Sequence, residues 1–168
     1  YDIGLGIPAE PLFRSRDGFE NGMDGWVTYN IYSIWSKIRN TEKYEGEYSF
    51  VFGESDIYPI QYLISPRFSA DVISVSFHYK GEWYNSKFQV GYSTTTNDIS
   101  AFTWGDVVDV PLSWQLYEQD FPKGTRYVAI KADFSNDGSD IFVYDFHFME
   151  AGIKKPVNLA IGEISKTS

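Results

Sequence analysis

Apolar and polar residues alternate one by one along several short runs of this chain. In the run 73–79 every second residue is apolar, with Ser74, Ser76 and His78 between them, and the runs 87–93 and 127–134 repeat the pattern. Such alternation is typical of a strand with one buried and one exposed face. No stretch has the spacing of an amphipathic helix. The pattern predicts an all-β sandwich of two antiparallel sheets with almost no helix.

Turn residues separate the predicted strands at the spacing expected of a sandwich. The last strand differs, because one face carries Phe142, Tyr144, Phe146 and Phe148 while the other includes Asp145. We interpret it as a strand that is buried on both sides or that borders a site. The predicted strands are Leu12–Arg14, Gly25–Ile31, Ser36–Thr41, Tyr48–Gly53, Gln61–Phe68, Ile73–Tyr79, Lys87–Ser93, Val107–Val110, Trp114–Phe121, Tyr127–Phe134 and Ile141–Met149.

Composition supports the β prediction and excludes several functions. Aromatic residues form 18% of the 168 residues, and they suit a pleated, half-buried surface. A net charge of −9, with Lys154-Lys155 as the only basic doublet, argues against nucleic-acid binding, which needs clustered cations. The absence of cysteine excludes disulfides and thiol chemistry. No apolar run is long enough to insert across a membrane.

A series of short motifs carries a family resemblance. Phe19-Glu20-Asn21-Gly22 precedes Gly25-Trp26, and Tyr62-Leu63-Ile64-Ser65-Pro66 comes later in the chain. The runs 75–79, 88–95 and 127–131 follow, in the order that the modules named next also have. This series resembles the jelly-roll modules called cleaved adhesins (gingipain adhesin-like) and choice-of-anchor J, which are relatives of MAM domains. The resemblance covers roughly residues 12–150.

The resemblance implies a jelly-roll β-sandwich that binds ligands and presents binding surfaces, and that has no catalytic activity. Such a module would belong to a secreted or cell-surface bacterial protein, with the Bacteroidetes as the expected source. The expected partners are a glycan or an extracellular host protein, together with flanking domains of the same polypeptide. Two alternatives stay open: a carbohydrate-binding module attached to a surface glycosidase or peptidase, and a structural spacer. Fold analogy alone does not name the ligand.

The resemblance also suggests a structural calcium ion. In related jelly rolls an acid of the opening strand meets an aspartate of the closing strand, and Glu20 and Asp145 occupy those positions, with Asp17 nearby. Calcium prefers carboxylate and carbonyl oxygens. The family's acidic loop after Gly-Trp is not expected here, because residues 28–33 hold no carboxylate. In the alternative, Glu20 is a turn residue and Asp145 pairs with Lys or Arg.

The two ends of the chain differ in character from the middle. Residues 1–11 contain Pro and Gly without periodicity and are interpreted as a leader or linker, followed by the jelly-roll domain at 12–152. Within 153–168, Pro156, Asn158, Leu159 and Ile164 resemble the opening of a fibronectin type III domain. We expect a linker and the first strand of a truncated domain of that type. A final strand of the jelly roll is the alternative.

Aromatic residues in turns and at strand ends are the candidate ligand contacts. Trp83 and Tyr84 in the turn 81–85, and Trp104 further on, offer flat faces that stack on sugar rings; partial burial in the core is the structural alternative. Catalytic residues are not expected. His78 and His147 have no metal-ligating neighbour at short spacing, and the chain has neither a nucleophile elbow nor a phosphate-binding glycine-rich loop.

Overall fold

The computed structural model describes residues 23–31, 48–83 and 85–151, together with the backbone of residues 12–17 and 38–39. The described part contains one short 3₁₀ turn, Ile99–Ala101, and otherwise only strands and loops. The strands are β1 (Leu12–Asp17), β2 (Val27–Tyr29), β3 (Ile38–Arg39), β4 (Ser49–Phe52), β5 (Ile60–Ile64), β6 (Val72–Gly81), β7 (Lys87–Ser93), β8 (Thr103–Trp104), β9 (Val108–Asp109), β10 (Gln115–Asp120), β11 (Tyr127–Asp133) and β12 (Ile141–Ala151).

The strands form two antiparallel sheets. The first sheet has the order β10-β6-β12-β4-β3, with β1 also paired to β12, and the second has the order β2-β5-β11-β7-β8, with β9 also paired to β7. Strand β12 therefore has β6 along one side and, along the other, β4 in its first half and β1 in its second half. The predicted all-β fold with two antiparallel sheets is confirmed.

The core lies between the sheets and consists largely of aromatic rings. Phe77 of β6 packs against Phe88 of β7 and Phe146 of β12, with ring centroids 5.9 and 4.8 Å apart. All three side chains are buried. Because aromatic side chains bury large areas and pack edge to face or tilted, the high aromatic content fills a sandwich of this size. Thr103–Trp104 forms a strand, β8, that the alternation did not predict.

A β-bulge interrupts the closing strand β12. Tyr144 pairs with His78, but the next pair is His147 with Ser76, so Asp145 and Phe146 together oppose a single residue of β6. Asp145 has φ of +62°, and a bulge changes which side of the sheet the following residues face. The core accordingly takes Val143 before the bulge and Phe146 and Phe148 after it.

This bulge corrects the predicted faces of the last strand. Phe142 and Tyr144 do not share a face with Phe146 and Phe148; they precede the change of side and lie outside the inter-sheet core. Both are nevertheless buried. The proposed leader at 1–11 and the fibronectin-like segment at 153–168 lie outside the described residues. Within the described residues, no helix has the length and apolar character needed to cross a membrane.

Candidate functional site

Trp83 is the most exposed tryptophan among the described residues, with 60% of its surface accessible. It lies in the turn between β6 and β7, as the sequence predicted. An exposed indole on a loop is unusual for a residue that normally buries its ring, so it is a candidate contact for a ligand. Tyr84, the predicted neighbour, lies outside the described residues.

Hydrogen bonds to the β11–β12 loop hold this turn in place. The Trp83 amide donates to Ser139 Oγ at 2.7 Å, and the Glu82 amide donates to the Asp140 carbonyl at 3.0 Å. The Ser139 amide donates to the buried Ser86 Oγ at 2.7 Å, and that hydroxyl donates back to the Ser139 carbonyl. The indole is therefore presented on a fixed turn, which lowers the entropy lost on binding.

Trp104 occupies a different environment from Trp83. Its ring packs against Phe102 and Tyr62, with centroids 5.5 and 5.8 Å apart, and Lys131 Nζ lies 4.9 Å from its centroid. Its strand pairs with Gly91, where an added Cβ would lie only 2.5 Å from the indole carbon Cε3. The half-buried ring thus lies against a glycine backbone on the second sheet, separate from the Trp83 turn.

Asp145 is the one predicted calcium ligand whose side chain is described. Its carboxylate is 7% exposed, and its Oδ1 lies 3.2 Å from His147 Nε2. The backbone of Asp17 pairs with Phe146, next to the bulge, whereas Glu20 lies outside the described residues. In the described part of the chain, no three His, Asp or Glu residues group closely enough to hold a metal. The calcium site with Glu20, Asp145 and Asp17 stays a prediction.

A polar groove crosses the outer face of the first sheet, with a volume of about 620 Å³. Its floor is strand β6, between β10 and β12, where Ser74 and Ser76 are too short to fill the space between the neighbouring strands. Glu118 pairs with Ser76 from one side and His147 from the other, so the three residues form one row across the sheet. The groove follows from placing short side chains between two rows of longer ones.

The walls of the groove differ in charge. Glu118 and Asp120 of β10 are exposed, and neither carboxylate makes a hydrogen bond or ion pair with a described residue. His147 and Met149 of β12 form the opposite wall, and His78 lines one end. The sequence analysis missed this site, although the polar half of the alternation in 73–79 was a signal for its floor.

The groove also contains a serine, a histidine and an aspartate in neighbouring positions. Ser76 lies opposite His147, which contacts Asp145. A nucleophilic serine must be hydrogen-bonded to its histidine base, and no such bond joins Ser76 to His147 in the described structure. The arrangement therefore gives no support for hydrolysis.

Solved structures share this fold. The K1 cleaved adhesin domain of Lys-gingipain from Porphyromonas gingivalis superposes with a TM-score of 0.68 and 22% identity, covering 83% of this chain and 99% of that domain. The K3 cleaved adhesin domain has the same TM-score and coverage at 18% identity. The xylan-binding domain CBM22-1 from Paenibacillus barcinonensis has a TM-score of 0.56 at 12% identity, covering 86% of this chain and 97% of that one.

These likenesses confirm the predicted jelly-roll fold and the resemblance to cleaved adhesin domains at the level of structure. No protein-family profile and no curated protein sequence matches the chain. Identities this low establish the fold and leave function to be argued from the sites.

Proposed function

We propose that this domain is a non-catalytic adhesion or binding module of a secreted or cell-surface bacterial protein with several domains. The observation that carries the proposal is Trp83, an exposed indole on a turn fixed through Ser139 and Ser86. The likeness to cleaved adhesin domains supports the same function. The ligand is a glycan or an extracellular host protein.

The chemistry of Trp83 suits both kinds of ligand. A tryptophan that becomes fully desolvated at an interface is often among the residues that contribute most to affinity. Its flat face can equally stack on a sugar ring, while Asn85 of the same turn offers a polar amide to hydroxyls. Because the turn is already fixed, little ordering is needed on binding.

A carbohydrate-binding module attached to a surface enzyme is the second candidate. It is supported by the fold shared with the xylan-binding domain. In this candidate the ligand is a polysaccharide. A pure spacer would bind neither glycan nor protein.

A binding screen tests the proposal. The domain is applied to a glycan array and to a panel of immobilised extracellular-matrix proteins, alongside Trp83→Ala and the control Val107→Ala. Val107 is matched because it is 59% exposed and lies in the β8–β9 loop, away from the turn. We expect Trp83→Ala to weaken binding at least about tenfold, with an unchanged melting temperature and an unaffected control.

The outcomes separate the candidates. Loss of glycan binding in Trp83→Ala supports the carbohydrate-binding module, and loss of protein binding supports the adhesin. Equal binding by Trp83→Ala and the native domain would remove Trp83 from the site. If the native domain binds nothing in either panel, the binding proposal is wrong and the spacer is favoured.

A further inference from the structure

We propose that the groove on the outer face of the first sheet binds the cationic side chains of an extended basic peptide segment of a partner protein. This site is separate from Trp83 and goes beyond the proposed function. It is built from Glu118 and Asp120 on one wall, Ser74 and Ser76 on the floor, and His147 on the other wall.

The spacing of the two carboxylates defines the ligand. Glu118 and Asp120 are two residues apart on one face of β10, which places them about 7 Å from each other along the strand. An extended peptide has the same repeat, so basic residues at alternate positions would meet both acids. Arg suits this arrangement, because its guanidinium donates several hydrogen bonds to carboxylates.

The charges of the β10 wall of the groove favour a cation. Both carboxylates lack a hydrogen-bond or ion-pair partner among the described residues. Arg14 and Arg16 of β1 pair with Met149 and His147, next to the wall of the groove opposite the acids. Strand β1 is the third strand from β10 across β6 and β12, about 14 Å from the acids at ordinary strand spacing. A cationic ligand would therefore supply the partners that Glu118 and Asp120 lack, and the net charge of −9 would speed its approach.

The lining argues against a sugar in this groove. The one phenyl, phenol or indole side chain among the described lining residues is Phe148, and its ring points into the core, where it stacks on Phe146 at 5.9 Å and contacts Phe68 at 4.6 Å. A pyranose ring would thus find no aromatic face. Met149 instead offers an apolar surface to the aliphatic stem of Arg or Lys.

The binding test uses a blocked peptide, acetyl-Gly-Arg-Gly-Arg-Gly-amide, followed by chemical shifts of the backbone amides. We expect concentration-dependent shifts at Ser74, Ser76 and Glu118, which weaken as salt is raised because exposed charge pairs are screened. The same peptide with citrulline in place of arginine keeps the shape without the charge and should not bind. Neutral xylotetraose is the third probe, and shifts at these amides with it alone would overturn the proposal.

Variants of the groove locate the site. Glu118→Gln and Asp120→Asn should each weaken binding of the arginine peptide by about two- to fivefold, as expected for an exposed ion pair. The single variants Asp56→Asn and Asp98→Asn are the controls, since each removes one negative charge, as each groove variant does, from an exposed acid outside the groove. If the controls weaken peptide binding equally, the effect comes from the net charge alone, and a specific site is contradicted.

A steric variant tests the groove without changing its charge. Ser76→Met fills the floor between Glu118 and His147 and should abolish the shifts, while amide spectra confirm that the domain is folded. Trp83→Ala should bind the peptide as the native domain does. The proposal therefore fails if Ser76→Met retains binding, whereas the Trp83 proposal is judged separately by its own screen.

Discussion

The bulge at Asp145 makes a prediction that runs against ordinary strand preferences. In a regular strand, Gly is less stable than Ala by about 0.5–1 kcal/mol, because Gly loses more backbone freedom on folding. At Asp145 the backbone has φ of +62°, where a Cβ costs about 1–2 kcal/mol. We therefore expect Asp145→Gly to be more stable than Asp145→Ala.

The magnitude follows from the difference between these two terms. Both variants lose the carboxylate and its contact with His147 at 3.2 Å, so both should be less stable than the native domain, and that loss cancels when the two are compared. Subtracting the entropic cost of Gly from the strain of Ala leaves about 0–1.5 kcal/mol in favour of Gly, with a midpoint of about 0.75 kcal/mol. For a chain of 168 residues, the midpoint corresponds to about 1.5–3 °C in melting temperature.

Thermal and urea unfolding of the two variants measure this difference. Gln89 in β7 provides the control, because it lies in a strand with regular pairing to β11, and its side chain donates to the Gly105 carbonyl at 2.8 Å. Gln89→Ala should be more stable than Gln89→Gly, the opposite order. If Ala equals or exceeds Gly at position 145, the bulge does not impose the strain argued here.

Two other predictions concern protons and metal. Burial, followed by the charges of Asp106 and Tyr79, raises the pKa of Tyr117 to about 12 from 10.0. The neutral phenol therefore stabilises the fold fully below pH 10, and this contribution is lost as pH rises through about 12. When the free energy of unfolding is measured against pH, Tyr117→Phe should lose less stability over that interval than the native domain. For the predicted calcium site of Glu20, Asp17 and Asp145, a chelator should lower the melting temperature and added calcium should restore it, whereas identical melting curves would contradict the site.

Much of the fold could be predicted because alternation is a local property of the sequence. The run 87–93 was predicted with the bounds that the structure has, and 127–134 differs by one residue. Strand β8 was missed for a physical reason: it has two residues, and its position depends on Gly91 leaving room for Trp104. A strand that short carries no period, so long-range packing alone defines it.

The candidate sites show the same division between local and long-range information. Trp83 could be predicted because a turn with an aromatic residue is visible in a few consecutive letters. The groove could not, because its members come from β6, β10 and β12, and only the strand order and register bring Glu118, Ser76 and His147 into one row.

The bulge at Asp145 connects the aromatic core with the groove. A strand without it would continue the alternation unbroken from Val143, and Asp145, His147 and Met149 would then face the core while Phe146 and Phe148 lay on the outer face. By placing two residues opposite one of β6, the bulge keeps both phenylalanines buried and brings His147 to the outer face, beside Ser76. Burying the closing strand's aromatic rings and forming the groove wall therefore depend on one backbone irregularity, and its strain at Asp145 is maintained by the packing on both sides.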